Sequence, residues 1–336
     1  MRVTIAEIAR RARVSKTTVS RVLNNKTDVD AATAVRVREV IAATGYIPSA
    51  GAVGLARGRS RLVGVLASGL SHPDTAELLQ AIADVADEHD HGLLLGTAGA
   101  TGAEGATGTA DTTEAALDRF ANRVRARAFD GLVLLAPPPA VTNLEVLRDP
   151  DLPVVIADGT HPALPSVSAD DPAGAAAVAR HFLSRGRRRI AVVTGPGDRW
   201  ARRFAGFRAA LAETGLPLGE PTVAETDLTA RGGRDAAHRL LASGREFDAV
   251  FAPDDTVAAA VAAVLRETGH AVPAMVAVAG FGDTPLAVAT DLTTVRRPLR
   301  ALGQTAARRL FDRLTGSPPG ETTVLPTELV VRGSAP

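Results

Sequence analysis

The chain opens with an apolar pattern of helical period. Apolar residues at positions 5, 8, 9 and 12 follow the i, i+3, i+4, i+7 spacing of one helix face. Thr4 and Glu7 form the Thr-x-x-Glu pattern of a capping box, which starts a helix. Ser15 is a second N-cap, and Val14 and Val19 are placed to form a hydrophobic staple around it. The pattern predicts two short helices joined by a tight turn.

The second of these helices has an apolar and a polar face. Val19, Val22 and Leu23 are predicted to be buried. The opposite face carries only hydrogen-bonding side chains: Lys16, Thr17, Thr18, Ser20, Arg21 and Asn24. Such groups read base edges and bind phosphates in DNA, although an ordinary amphipathic hairpin fits the pattern equally well. A third helix, predicted between an N-cap at Asp30 and a C′ glycine at Gly45, would close a core around the second.

From residue 61 onward, short apolar runs alternate with Ala- and Leu-rich helical segments. The strand-like runs are RLVGVLAS, GLLLGT, GLVLLAP, PVVIAD, RIAVVTG, AVFAP and VAVAGF. Helices are predicted at residues 75–87, 174–184 and 202–214, and the Gly/Ala/Thr-rich stretch 96–109 reads as a loop. This alternation predicts βαβ units and parallel sheets.

Charge is distributed unevenly along the 336 residues. Residues 1–60 hold 11 Lys and Arg against 4 Asp and Glu, whereas the remainder holds 27 against 33, so an overall charge of +1 hides a basic start and an acidic body. A basic start fits a DNA-binding segment. The chain has no cysteine, no apolar stretch near 18 residues and no signal sequence at its start, which predicts a soluble, cytoplasmic protein without membrane contact.

The run V-S-K-T-T-V-S-R-V-L-N, followed by G-Y-I-P, resembles the head of the LacI/GalR family of bacterial transcription regulators, and the resemblance continues to the C-terminus. It implies a small all-α helix-turn-helix head and an α/β body like the periplasmic-binding-protein fold, with two doubly wound parallel-sheet subdomains. We expect the head at residues 1–45, a hinge segment at 46–60 and an effector-binding and dimerisation domain at 61–336. The N-subdomain would span about 61–158 and 286–316, and the C-subdomain about 159–285 and 317–332. The chain would cross between them near 158–160, 283–285 and 315–318.

The resemblance also implies a function. Members are DNA-binding dimers that sense a small molecule, so we expect a homodimeric repressor on a palindromic operator of double-stranded DNA. Lys16, Thr17 and Arg21 would read base edges. The residues expected to hold phosphates are Thr4, Ser15, Thr18, Ser20, Asn24, Thr33 and Tyr46. Leu55 matches the hinge leucine that enters the minor groove at a central CG step, with Ala52 beside it.

Several positions that match the family's effector pocket follow strand-like runs, where ligands of open α/β sheets bind. The expected effector-binding residues are His72, Asp74, Asp158, Trp200, Arg203, Leu228, Asp254 and Phe281. Asp254 replaces the usual asparagine. Leu228 stands where sugar-binding members often have an aromatic ring, and only 3% of residues are aromatic. The effector is therefore expected to be an unusual sugar or another small polar ligand.

Two other classes of protein share parts of this pattern. An enzyme with an appended DNA-binding head is disfavoured because the chain has no P-loop, no G-x-S-x-G, no H-E-x-x-H and no residues clustered with metal-ligand spacing. A solute-binding protein would share the body fold, but it would need an export signal and would have no basic head. We therefore expect no enzymatic activity, no cofactor and no metal.

Overall fold

The computed structural model describes residues 3–23, 26, 28–46, 60–70, 72–98, 110–137, 139–142, 145–215, 223–318 and 320–336, with backbone only at 110–117, 139 and 140. The chain forms two compact units, Met1–Arg61 and Leu62–Pro336. They are called the head and the body below. No helix in the described ranges is long and apolar enough to cross a membrane.

The head contains the three predicted helices, α1 (Ile5–Ala12), α2 (Lys16–Leu23) and α3 (Ala31–Thr44). Each predicted N-cap side chain accepts a backbone N–H bond: Thr4 from Glu7 at 3.4 Å, Ser15 from Thr18 at 3.0 Å and Asp30 from Thr33 at 3.0 Å. Gly45 ends α3 in the left-handed region, at φ 61°, where a side chain would be strained. Local sequence therefore sets both ends of α3.

The core of the head is small. Ile8, Ala9, Ala12, Val19, Val22 and Val37 are its buried residues. Ile5 and Leu23 pack against this core but are only partly buried, so the prediction that Leu23 is buried overstates its depth. Leu23 is the last residue of α2.

The body begins with a parallel six-stranded sheet. Its strands are β1 (Leu62–Ala67), β2 (Gly92–Thr97), β3 (Gly131–Leu135), β4 (Val154–Ala157), β5 (Ser166–Ala169) and β11 (Thr323–Leu325), in the order β11-β5-β4-β3-β1-β2. The helical elements between these strands are α4 (Pro73–Glu88), α5 (Ala110–Arg125), α6 (Pro139–Thr142) and a 3-10 turn (Glu145–Arg148). A long helix, α12 (Leu299–Leu314), packs with α4 on this sheet. These elements are the first half of the body.

The second half is built on a parallel four-stranded sheet in the order β7-β6-β8-β9. Its strands are β6 (Ile190–Thr194), β7 (Val223–Glu225), β8 (Ala249–Phe251) and β9 (Ala277–Ala279). Its helices are α7 (Asp171–Ser184), α8 (Asp198–Ala212), α9 (Ala230–Ala242), α10 (Asp255–Glu267) and α11 (Pro285–Ala289). The sheet is packed between two apolar layers, which explains why its strands are apolar throughout. All seven predicted strand runs are present as strands in the two sheets.

The chain passes between the halves later than the sequence predicts. Residues 166–169 still pair with β4 in the first sheet, so the first crossing follows Ala169 rather than 158–160. The second follows β10 (Thr294–Arg296), not 283–285, because α11 packs in the second half. The third lies between β11 and β12 (Glu328–Val330), not at 315–318. The sequence prediction placed each crossing at turn-forming residues and overlooked the short strands S-V-S-A, T-V-R and T-V-L.

Candidate functional site

The outward face of α2 carries the side chains predicted to read DNA. Lys16, Thr17 and Arg21 are exposed, and Thr18 and Ser20 are partly buried. Because Val19 and Val22 face the core, the helical period places Thr17 and Arg21 on the opposite, solvent side, and Lys16 is exposed at the start of the helix. Arg21 pairs with Asp28 at 3.2 Å, with both side chains more than half exposed.

The remaining predicted DNA contacts lie at helix ends. Thr4 and Ser15 cap α1 and α2, and the Ser15 hydroxyl also lies 2.9 Å from that of Thr18. Thr33 lies in the first turn of α3 and accepts a bond from Arg36 at 3.3 Å, and Tyr46 packs on the core of the head. Asn24, Ala52 and Leu55 lie outside the described residues.

In the body, the predicted effector residues gather where the carboxyl ends of both sheets meet. Asp158 follows β4, and Asp254 and Phe281 follow β8 and β9. Trp200 and Arg203 lie on α8, which follows β6. Since all of these strands are parallel within their sheets, the polar side chains after them converge on one cleft between the halves.

Arg297 is the centre of a buried ion-pair network in this cleft. Its Nη1 lies 2.5 Å from Asp74 Oδ2, its Nε lies 3.1 Å from Asp171 Oδ1, and its Nη2 donates to Asp158. The side chain is 1% exposed. Arg297 directly follows β10, at the second crossing, so one guanidinium binds carboxylates from both halves of the body.

Arg203 extends the network into the second half. Its Nε and Nη2 both lie 2.8 Å from Asp171 Oδ2, and Nη1 donates to the carbonyl of Pro253 at 2.8 Å. The guanidinium carbon lies 3.8 Å from the centre of the Phe281 ring and 4.5 Å from that of Trp200. Two aromatic rings thus lie against one planar cation, an arrangement favoured by cation–π attraction.

A close helix contact brings Arg203 to Asp171. A Cβ at Gly206, one turn after Arg203, would lie 2.3 Å from the carbonyl oxygen of Pro172. Only glycine lets α8 approach the first turn of α7 so closely. This contact therefore helps to place the arginine against the carboxylate.

Two contacts cross the cleft directly. Arg199 on α8 donates through Nη2 to Asp158 of the first half. His72, which caps α4, has its ring centre 6.2 Å from that of Trp200. The Nδ1 atom of His72 accepts a bond from the Asp74 amide at 3.3 Å, which requires an unprotonated Nδ1. Burial lowers the pKa of His72 to about 4, so the imidazole is neutral near pH 7.

Charge compensation holds the network ionised. Burial opposes ionisation of Asp158, but Arg199 and Arg297 outweigh it and hold its pKa below the usual range. Burial likewise opposes ionisation of Asp171, and Arg203 and Arg297 lower its pKa. The pKa of Arg297 is raised despite its burial, because Asp158, Asp171 and Asp74 surround it. Burial lowers the pKa of Arg203 to about 10, although Asp171 counteracts it, so the guanidinium stays charged at neutral pH.

Asp254 lies outside these pairs. Its Oδ1 caps α10 by accepting from Val257 N at 2.8 Å, and burial raises its pKa to about 6. Its neighbour Asp255 differs, because its Oδ2 accepts bonds from the Thr284 amide at 2.8 Å and hydroxyl at 2.9 Å. The two adjacent carboxylates therefore have different roles, and Asp255 is structural.

Comparisons with known proteins agree with this arrangement. Residues 4–49 match the family described as "Bacterial regulatory proteins, lacI family", and residues 179–335 match the periplasmic binding protein-like domain. The transcriptional regulator DegA of Bacillus subtilis is 30% identical, over 99% of this chain and 98% of its own length. The chain belongs to the LacI family.

Solved structures of LacI-family proteins show the same architecture. The lac repressor dimer bound to operator and the anti-inducer ONPF has a TM-score of 0.86 and 25% identity, covering 100% of this chain and 99% of that one. A CelR–cellobiose complex has a TM-score of 0.73 and 28% identity, covering 99% and 100%. These comparisons confirm the predicted fold class and the function of a DNA-binding transcription regulator. The relatives named here are regulators rather than enzymes.

The cleft of this LacI-family chain contains most of the effector residues predicted from sequence. Asp74, Asp158, Arg203, Trp200 and Phe281 belong to the ion-pair network or line it. His72 and Asp254 lie at its edge. Leu228 lies three residues after β7, is partly buried and covers Gly195, where a Cβ would lie 2.3 Å from its Cδ2 atom.

Sequence reasoning missed three charged residues of the network: Asp171, Arg199 and Arg297. Asp171 lies two residues after the overlooked strand β5, and Arg297 comes directly after the overlooked strand β10. Recognising those short strands would have placed both residues at the cleft. Arg199 precedes the predicted helix, which begins at residue 198 instead of 202. In the part of the chain that the structure describes, no group of three acidic or histidine side chains could hold a metal ion.

Proposed function

We propose that this chain is a repressor that binds a palindromic operator as a homodimer. The observation that carries the proposal is the head, in which a complete apolar core directs the polar face of α2 outward. Lys16, Thr17 and Arg21 would enter the major groove, while the capping hydroxyls beside them hold phosphates. The operator-bound dimer of the lac repressor, which this chain matches over 99% of the chain in that structure, supports this assignment.

The cleft would bind a neutral ligand rich in hydroxyl groups, most simply a sugar. Three arginines, Arg199, Arg203 and Arg297, are balanced by Asp74, Asp158 and Asp171. A balanced site offers donors and acceptors without a large net charge, which suits neutral hydroxyl groups. Asp254 offers a further acceptor, and Trp200 offers a ring at the cleft. The cellobiose complex of CelR supports a sugar in this cleft.

Effector binding would change the angle between the halves of the body and thereby the operator affinity of the dimer. The response is limited by the difference in ligand affinity between the two states. Such a regulator would work in the cytoplasm, where the DNA is. In the hinge segment, Leu55 and Ala52 would contact the minor groove of a central CG step, as the family resemblance implies.

A selection from fragmented genomic DNA with the purified full-length chain tests the DNA-binding half of the proposal. We expect enrichment of a palindrome with a central CG step. Absence of any enriched sequence would contradict the assignment. Titration calorimetry against a panel of mono- and disaccharides then tests the ligand class, and we expect binding of at least one sugar. Binding of charged metabolites and of no sugar would contradict the proposal that the charge-balanced cleft binds a neutral ligand.

A further inference from the structure

The two halves of the body contact each other at the cleft in two different ways. Arg297 binds carboxylates of both halves, but it belongs to a chain crossing and lies beside the hinge. Arg199 belongs to α8, a helix whose buried apolar residues pack in the core of the second half, and its partner Asp158 follows β4 of the first half. The Arg199–Asp158 pair therefore persists only while the halves are together.

The surroundings of this pair make it strong. The side chains of Arg199 and Asp158 are 17% and 5% exposed, so water and salt screen their attraction little. Asp158 also accepts from Arg297, which orients the carboxylate and keeps it ionised. Its backbone is in the left-handed region, at φ 61°, and that turn directs the chain at the end of β4.

A second contact across the cleft lies next to the pair. Trp200 follows Arg199 on α8, and its ring faces His72 of the first half at 6.2 Å between centres. His72 is neutral, so this contact adds packing without charge. Opening the cleft would separate both contacts and expose Trp200, which is 7% exposed in the structure.

We propose that Arg199 is a positioning residue of the cleft, whose pair with Asp158 keeps the halves together and sets the free energy needed to open the cleft for an effector to enter. The contact is made between groups of the chain itself and needs no bound molecule. This inference rests on the proposed function only in that the effector is assigned to this cleft.

Trp200 is the one tryptophan of the chain and reports on cleft opening. We would measure acrylamide quenching of its fluorescence in the full-length protein, without DNA or sugar, for the wild type and for Arg199→Gln, Arg199→Lys and Asp158→Asn. Arg202→Gln is the matched control, because Arg202 is an arginine of the same helix that lies two residues after Trp200. Far-UV circular dichroism checks that each variant is folded.

Loss of the pair should at least roughly double the quenching constant in Arg199→Gln, because removing one strong contact shifts a two-state equilibrium about fivefold or more. Asp158→Asn should show the same increase. Arg199→Lys, which keeps the charge, should lie between wild type and Arg199→Gln, and Arg202→Gln should match wild type. Each variant other than the control should also emit at longer wavelength.

The Arg199 guanidinium carbon lies 5.6 Å from the centre of the Trp200 ring, so a substitution of Arg199 also affects the indole directly. Asp158→Asn breaks the same pair but leaves Arg199 in the protein, and it is therefore the decisive variant. An increase in Arg199→Gln alone would be a local effect and would overturn the proposal, as would unchanged quenching in both variants. If Asp158→Asn does not fold, equal quenching of Arg199→Gln and Arg199→Lys overturns it. Failure to find an operator or a sugar would contradict the proposed function and would leave this result unaffected.

Discussion

The head leaves Lys16, Thr17 and Arg21 exposed on α2, whereas the cleft of the body buries Arg203 and Arg297 among carboxylates. In the head, a few apolar side chains make the core, and the polar face is free to meet a partner. In the cleft, buried charged side chains form ion pairs that connect the two halves of the body. Substitutions in the first region should therefore change recognition, and substitutions in the second should change stability as well as binding.

The difference between the head and the cleft is tested most strongly by removing Arg297, the arginine at the centre of the cleft network. Arg297→Met would leave Asp74, Asp158 and Asp171 buried without their shared partner. Breaking a buried pair in this way destabilises proteins by about 3–5 kcal/mol, so we expect a loss in that range or larger. Urea unfolding of the full chain, followed by circular dichroism, measures it.

Arg300→Met is the control for Arg297→Met. Arg300 pairs with Asp84 at 2.6 Å, but its side chain is 58% exposed. An exposed pair contributes about 1 kcal/mol or less, so this variant should unfold close to wild type. Equal losses in the two variants would show that the cleft network has no special role in stability.

The second test concerns the unpaired carboxyl of the cleft. Burial raises the pKa of Asp254 to about 6 from an ordinary value of 3.8, so its charged form is disfavoured in the folded protein. The folded state therefore loses stability as pH rises from about 4 to about 6. Asp254→Asn, which keeps an N-cap acceptor, should stabilise the protein by no more than about 3 kcal/mol at pH 8 and by under about 1 kcal/mol at pH 4.

Unfolding of wild type and Asp254→Asn across this pH range measures the difference. Asp170→Asn is a suitable control, since Asp170 also caps a helix, accepting from the Ala173 amide at 3.0 Å. A stability difference for Asp254→Asn that does not change with pH would contradict burial as its cause.

The same contrast explains what the sequence could predict. In the head, caps at Thr4, Ser15 and Asp30 lie within three residues of the amides that they bind, so local patterns fix the helices. In the body, alternating apolar runs predicted the strands of the main sheets. The strands of three or four residues carry too little pattern to be recognised, and the crossings were therefore misplaced.

The cleft network depends on residues far apart in sequence. Arg297 is 223 residues from Asp74 and 126 from Asp171. No periodicity or local motif links such positions, so they become visible only when the parallel sheets bring their carboxyl ends together. Family resemblance located Asp158, Arg203 and Asp254, but it did not show that Arg297 joins the two halves.

In the head, Lys16→Ala tests recognition. Lys16 is exposed at the first position of α2 and is proposed to read base edges. Its loss should reduce discrimination between the operator and single-base variants by about 1–3 kcal/mol, with little change in thermal stability. Fluorescence anisotropy with a set of operator variants measures this. Uniform weakening on every sequence, with a smaller salt dependence, would instead assign Lys16 to a phosphate.

The smallest expected effect concerns Arg21, whose Nη1 lies 3.2 Å from Asp28. Because both side chains are more than half exposed, the pair is weak, and DNA need only compete with an interaction of about 1 kcal/mol or less. Asp28→Asn should therefore tighten operator binding by no more than about fivefold, most visibly at low salt. Asp30→Asn, which keeps the cap of α3, is the control for general loss of negative charge from the head. An equal gain in both variants would show that Asp28 acts only through net charge, whereas a gain confined to Asp28→Asn would show that it holds Arg21 away from the bases.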